Sequence, residues 1–235
     1  MTEMLVVGGG YVGLSNAVLL AQKSKVTLLD ICKSRVDAIN DKKSPIQDEY
    51  IERFLAEKKL SLIAVNDQNE CTLEYNLVVI ALPTNYDEKT NYFNTSVIDD
   101  FLSFLSKKKN FSNALIVIKS TIPLGYIAEV QKKFLNLNIV FSPEFLREGN
   151  ALYDNLYPSR IVVGGNDDKA KEYASMMKGL SLNENVQIFH MNPLEAEAVK
   201  LFANTYLAVR IAFFNELDTY ACKNNLHARD IIDAV

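Results

Sequence analysis

Three glycines, Gly8, Gly10 and Gly13, with Tyr11 and Val12 between the last two, and an acid at Asp30 form the first set of residues in this chain whose spacing suits chemistry. Gly8 permits a tight turn, Gly10 lets backbone N–H groups reach a pyrophosphate, and Gly13 lets a helix lie close on a strand. Asp30 follows Gly8 by 22 residues, the distance at which a carboxylate ending a second strand accepts both ribose hydroxyls of NAD and repels the 2′-phosphate of NADP. Arg35 lies five residues farther on, either along the adenosine ribose or phosphate or exposed on the next helix. Four later segments carry further reactive side chains. Ala81-Leu82-Pro83-Thr84 ends strand pairing at Pro83 and offers a cofactor the Thr84 hydroxyl, unless Thr84 is only a turn residue. Lys119-Ser120-Thr121-Ile122-Pro123 aims Thr121 at the same crevice. The run Phe141 to Gly149 sets Glu144 and Glu148 four positions apart, and Lys200 and Asn204 stand at i and i+4, on one face of a helix.

These groups need elements to hold them. Met4–Val7 reads as a strand before the glycines, Leu14–Gln22 as a helix after them, and Val26–Leu29 as the strand that delivers Asp30. Further β-rich runs follow at Leu62–Val65, Leu77–Ile80, Leu115–Ile118, Ile139–Phe141, Ile161–Val163 and Val186–Phe189, with helical patterns between them. Several are continuously apolar, as burial on both faces demands. The pattern predicts an α/β protein: a Rossmann-type, doubly wound, mainly parallel sheet over residues 1–191, its ligands beyond the strand C-termini. Asn192-Pro193-Leu194-Glu195 then supplies an N-cap, a proline at the first helical position and a glutamate at the third, so a long central helix starts there. Without Pro or Gly from Ala196 to Lys223 and apolar on several faces, that helix is expected to pack between domains or subunits. Asn224-Asn225 ends it, and Ala228–Val235 begins another helix that stops without a cap. The chain is therefore expected to be a fragment, with residues 192–235 opening a dimerisation domain.

Half of the 235 residues are apolar, 23% are charged, and the net charge is −4, an ordinary soluble composition that disfavours nucleic acid or anionic membrane as partner. Lys107-Lys108-Lys109 reads as a solvated helix C-terminus. Cys32, Cys71 and Cys222 are odd in number and far apart, and His190 and His227 have no companions at ligand spacing, so neither disulfides nor a metal site are expected. With no leader or membrane span in the sequence, the expected compartment is the cytoplasm.

Gly10 to Gly13, Asn91-Tyr92-Phe93-Asn94-Thr95-Ser96, Lys119 to Pro123, Ser142 to Gly149, Pro158-Ser159-Arg160 and Lys200 to Tyr206 occur in an order that resembles the UDP-glucose/GDP-mannose dehydrogenase family over essentially the whole chain. One departure is Gly9, where the family usually carries a small hydroxyl residue; little consequence is expected. The resemblance implies oxidation of a nucleotide-sugar primary alcohol, that of UDP-glucose, to a carboxylate, with two hydrides passed to two NAD. It implies that Thr121 and a water relay the hydroxyl proton, that Lys200 and Asn204 stabilise negative oxygen, and that Glu144 assists water attack on a later thioester. It further places Glu148 near nicotinamide and sugar, Phe145, Leu146, Arg147 and Glu148 along the hexose, Tyr153 and Tyr206 on the nucleotide diphosphate, and Arg210 at a homodimer interface or the active site. Read as residues alone, Glu144 and Glu148 form a solvated acidic pair as readily, and Lys200 a bridge to Glu197.

The family's cysteine nucleophile lies in a glycine-rich loop that this chain does not contain. Cys222 has no flanking glycine or activating base and is assigned no role. The fragment alone is expected to bind NAD but not to turn over. Alternatives are a dehydrogenase of GDP-mannose or a UDP-N-acetylaminosugar, an ordinary hydroxyacid or hydroxyacyl dehydrogenase, and a non-catalytic NAD-binding module.

Overall fold

The computed structural model describes residues 2–88 and 92–235; Asn91 of the 91–96 segment lies outside them. In chain order the elements are β1 (Glu3–Val7), α1 (Tyr11–Leu20), β2 (Lys25–Leu29), α2 (Lys33–Asn40), α3 (Glu49–Glu57), β3 (Leu62–Val65) and β4 (Leu77–Ile80). A short hairpin, β5 (Tyr86–Asp87) with β6 (Tyr92–Phe93), precedes α4 (Ser96–Ser106), β7 (Leu115–Ile118), α5 (Tyr126–Lys133) and β8 (Asn138–Phe141). Then come α6 (Ala151–Leu156), β9 (Arg160–Gly164), α7 (Asp168–Leu180), β10 (Gln187–Met191), α8 (Pro193–Lys223) and α9 (Ala228–Ala234).

The main sheet has the order β10-β9-β8-β7-β4-β1-β2-β3. From β3 to β8 all neighbours are parallel, the strand order of a doubly wound dinucleotide fold once the hairpin is set aside. β9 meets β8 antiparallel through Phe141 and Gly164, and β10 pairs parallel with β9. The mainly parallel sheet and the long helix are as the sequence predicts. Central strands β4 and β7 are buried at every position, which explains their unbroken apolar sequences. Helix α1, buried from Gly13 to Leu20, packs over β1 and β2 and against α6, where Asn155 Nδ2 donates to Ser15 Oγ at 2.9 Å.

The chain divides into two compact units, Met1–Glu197 and Ala198–Val235. The predicted start of α8 has its capping box: Leu194 N–H donates to Asn192 Oδ1 at 3.0 Å, and Asn192 N–H to Glu195 Oε2 at 2.9 Å. Within the first unit Glu197, fully buried, accepts the N–H groups of Gly125 at 2.6 Å and Ile127 at 2.8 Å. Helix α5 starts on Gly125, a left-handed residue with no side chain to cap it, so the carboxylate comes from 70 residues away. Much of α8 presents apolar surface, with Phe202 73% and Ile211 65% exposed. No helix among the described residues is long and apolar enough to cross a membrane.

Candidate active site

The C-terminal ends of β1, β4 and β7 open onto a cavity of about 1150 Å³ at the point where strand order reverses. It is lined by Gly8, Gly10, Tyr11, Val12, Asp30, Arg35, Pro83, Thr84, Thr121, Glu144 and Glu148, so eleven sequence-predicted residues converge there. Gly8 has φ of 100°, open only to glycine without strain, and turns the chain from β1 to α1. A Cβ on Gly13 would overlap the Gly8 carbonyl oxygen, so α1 reaches its position because both residues lack side chains. Nothing lies within 4 Å of where a Cβ on Gly10 would stand. Helix α1 has no side-chain cap and no acid in its first turn, leaving its first N–H groups to an anion.

Asp30, buried at the end of β2, accepts the Gly9 N–H on Oδ2 at 2.6 Å and the Cys32 N–H on Oδ1 at 2.7 Å. Each carboxylate oxygen keeps a lone pair for a ribose hydroxyl. Arg35, on α2 with its side chain 45% exposed, stands 3.6 Å from Asp30 and lines the cavity. Gly9 has more consequence than expected: a Cβ there would stand 2.8 Å from Asp30 Oδ2. Bare phosphate-binding N–H groups, an acid fixed at the ribose distance and this volume fit a dinucleotide. Thr84 donates its hydroxyl to the Thr121 carbonyl at 2.6 Å, and Ser120 to the Leu82 carbonyl at 2.7 Å, stitching the β4 and β7 loops together. The Thr84 hydroxyl therefore holds Thr121, leaving only acceptor capacity for a ligand.

A second cavity, of about 380 Å³, is lined by Glu144, Phe145, Leu146, Arg147 and Tyr153 among others. Glu148 lines the larger cavity instead. Glu144 Oε2 accepts the Leu146 N–H at 2.8 Å, which turns the chain back on itself. Arg147 grips Asp154 on α6 through Nη2 at 2.6 Å and Nε at 3.1 Å, and that partner raises the guanidinium above its ordinary value. The Arg160 guanidinium lies 3.7 Å from the Phe145 ring centroid. Asp48 anchors the far end of the segment: Oδ1 accepts Ile51 N–H at 3.0 Å, starting α3, and Oδ2 accepts Leu152 N–H at 3.2 Å, in the first turn of α6. Beside it the Tyr50 and Tyr153 rings meet edge to face at 5.2 Å. Sequence reading gave no role to Asp48, Lys119 or Arg160; a lone acid 104 residues from its partner carries no local signal.

Lys200, Asn204, Tyr206 and Arg210 all lie on α8 in the second unit, Lys200 buried and the others exposed. Both Glu197 oxygens are engaged by backbone N–H groups at the start of α5. Among the described residues no group of three His, Cys, Asp or Glu side chains is placed to hold a metal.

Cys32 lines the cofactor cavity at the start of α2. The Ser34 hydroxyl at 3.2 Å, then the Arg35 N–H, hold its thiol below the ordinary value, whereas burial pushes Cys71 up to about 11. At pH 8 a small alkylating agent is expected to modify Cys32 at least ~10-fold faster than Cys71, with NAD slowing the reaction at Cys32. Mass spectrometry of the two peptides checks both rates.

Residues 2–180 match the NAD binding domain of the UDP-glucose/GDP-mannose dehydrogenase family, and residues 194–235 its central domain. The chain is 45% identical to a UDP-glucose 6-dehydrogenase of Campylobacter jejuni over 99% of its own length and 59% of the relative's. It is 47% identical to one of Streptococcus pneumoniae, again over 99% of this chain and 60% of the relative. The chain thus spans about three fifths of these relatives. Among solved structures, a ternary complex of GDP-mannose dehydrogenase from Pseudomonas aeruginosa superposes with a TM-score of 0.88 at 22% identity, covering all of this chain and 56% of that one. A UDP-glucose dehydrogenase from Pyrobaculum islandicum does so with 0.87 at 25% identity and the same coverages.

Proposed function

This chain belongs to the UDP-glucose/GDP-mannose dehydrogenase family, and from that premise we propose that it carries the NAD-binding part and several active-site residues of a UDP-glucose 6-dehydrogenase. The proposed reaction takes UDP-glucose, two NAD⁺ and one water to UDP-glucuronate, two NADH and three protons. The observation that carries this reading is the 45% and 47% identity, sustained along 99% of the chain, to two enzymes of that name.

The bound NAD would supply the hydride acceptor. The residues of this chain take the following parts in the reaction. The N–H groups opening α1 hold the pyrophosphate, and Asp30 accepts from the ribose, where a 2′-phosphate would meet its charge. Thr121, its carbonyl tied to Thr84, passes the sugar's hydroxyl proton to water. Lys200 and Asn204, four apart on α8, donate hydrogen bonds to oxygen as it becomes negative. Glu144 takes a proton from the water that attacks in the hydrolytic step, and Glu148 borders nicotinamide and sugar. The backbone of Phe145, Leu146 and Arg147 lies along the hexose, with Tyr153 and Tyr206 on the diphosphate. The exposed apolar face of α8 packs against a second copy, giving a homodimer, with Arg210 at that contact. The free cysteines suit a reducing, cytoplasmic setting.

The test is NADH counted per sugar consumed, using the complete protein that the gene encodes. Two NADH per UDP-glucose are expected. Preference for GDP-mannose or a UDP-N-acetylaminosugar would move the assignment to a sister enzyme, and no NADH from any sugar would leave a binding module.

A further inference from the structure

The two cavities share two lining residues, Lys119 and Glu144. Glu144 has a place in the reaction above; Lys119 has none. Its side chain leaves the end of β7 only 5% exposed, and its ammonium donates to the Ser142 carbonyl at 3.2 Å and to the Tyr173 hydroxyl at 3.4 Å. Both acceptors are neutral, and among the described residues no carboxylate stands within ion-pair distance of the ammonium. A cation stripped of water for two long bonds to neutral oxygen is a costly way to hold a core, where an apolar chain of similar length packs more cheaply. Its contribution lies in what it holds.

Every polar group of Ser142 is engaged. Its N–H donates to the Ile118 carbonyl at 3.0 Å, its hydroxyl to the Val162 carbonyl at 2.9 Å, and its own carbonyl accepts from Lys119. Pro143 follows, with fixed φ and no N–H to donate. Among the hydrogen bonds of the described residues the Ser142 carbonyl is thus the last backbone group engaged before Glu144, and the Leu146 N–H on Glu144 Oε2 carries the same rigidity into the next residues.

We propose that Lys119 is a positioning residue for the oxidation: its buried ammonium, where the two cavities meet, locks the Ser142 carbonyl and so fixes Glu144 and the backbone after it against the cofactor. This rests on the dehydrogenase reading above, so one of its tests needs no catalysis. In Lys119→Met, made in the complete protein, kcat with UDP-glucose is expected to fall at least ~30-fold, while KM stays within about threefold and the NAD dissociation constant within about twofold. The Leu146 amide is expected to exchange with deuterium at least ~10-fold faster. A residue that merely supported the fold would weaken NAD binding in step with kcat. If the unaltered protein does not oxidise UDP-glucose, the functional reading fails and the exchange rate alone decides on Lys119. Unchanged exchange, or unchanged kcat in an active enzyme, overturns the proposal. Should Lys119→Met lose NAD binding altogether, Tyr173→Phe carries the test, since it leaves the ammonium buried with one anchor fewer. Leu146 exchange at least ~3-fold faster is then expected, and exchange at the original rate overturns the proposal.

Discussion

Gly13→Ala is expected to abolish measurable NAD binding, with a loss of at least ~100-fold, and to destabilise the domain by about 3 kcal/mol. The obstacle is backbone, not side chain: the new methyl group would overlap the Gly8 carbonyl oxygen and also crowd Ala81. Gly8 cannot move away, because its N–H is bonded to the Leu29 carbonyl at 2.8 Å and its φ of 100° already commits the turn. Helix α1 must therefore retreat from β1. It is buried from Gly13 to Leu20, so any shift opens its packing on the sheet and on α6, and it also withdraws the N–H groups meant for the pyrophosphate. Gly10→Ala separates the two consequences. Its methyl group meets no protein atom within 4 Å, so stability should stay within ~0.5 kcal/mol, while NAD binding is expected to weaken because the proposed function puts the pyrophosphate in that space. Calorimetric titration with NAD and thermal unfolding of both variants measure the two effects. Equal damage from both substitutions would show that Gly13 has no special closeness to Gly8.

The glycine turn and the acid that line the larger cavity were legible in the sequence because their information is local. The turn at Gly8, the bare start of α1 and Asp30 lie within one strand-helix-strand unit, and the spacing alone brings them together. The strands were legible for a related reason. In β4 and β7 each residue is buried, so each had to be apolar, and the runs 77–80 and 115–118 coincide with the strands. Helix α8 carried its own start signal in Asn192, Pro193 and Glu195. What the sequence concealed are contacts between remote segments. Glu197 reads as one more acid on a helix, yet it caps α5 from 70 residues away. Gly9 looked interchangeable with a small hydroxyl residue because its neighbour Asp30 is 21 positions distant. Lys119 only opens the 119–123 segment in the sequence, and the fold shows it buried where it lines both cavities. The antiparallel turn of β9 onto β8 was likewise invisible, since strand sequences carry burial and not direction.

Asp48→Ala tests the most distant of these contacts and is expected to cost about 3 kcal/mol, lowering Tm by roughly 6–12 °C. An ordinary N-cap lost to alanine costs about 1 kcal/mol, because water replaces the cap at an exposed helix end. Asp48 is 2% exposed and serves two helices, so both the Ile51 and Leu152 N–H groups would lose a charged acceptor where water does not easily reach. Helix α6 has no substitute, since Asn150 at its start makes no side-chain cap. Asp167→Ala is the internal control: that carboxylate caps α7 alone, through Ala170 N–H at 2.8 Å, and should cost only ~1 kcal/mol. The damage should also be directional. Loosening α6 releases Leu152 and Tyr153, and through the Arg147 grip on Asp154 it reaches the segment that borders the smaller cavity. In the proposed function the phosphate-binding groups come from α1 and the ribose acid from the end of β2; neither bonds to Asp48, and α1, although it meets α6 through Ser15 and Asn155, keeps its packing on β1 and β2. NAD affinity at 10 °C, well below the transition, should thus stay within about threefold, while deuterium exchange across residues 144–152 rises. Equal costs for Asp48→Ala and Asp167→Ala would mean that the bond to Leu152 contributes nothing, and that α6 is held by its apolar face alone.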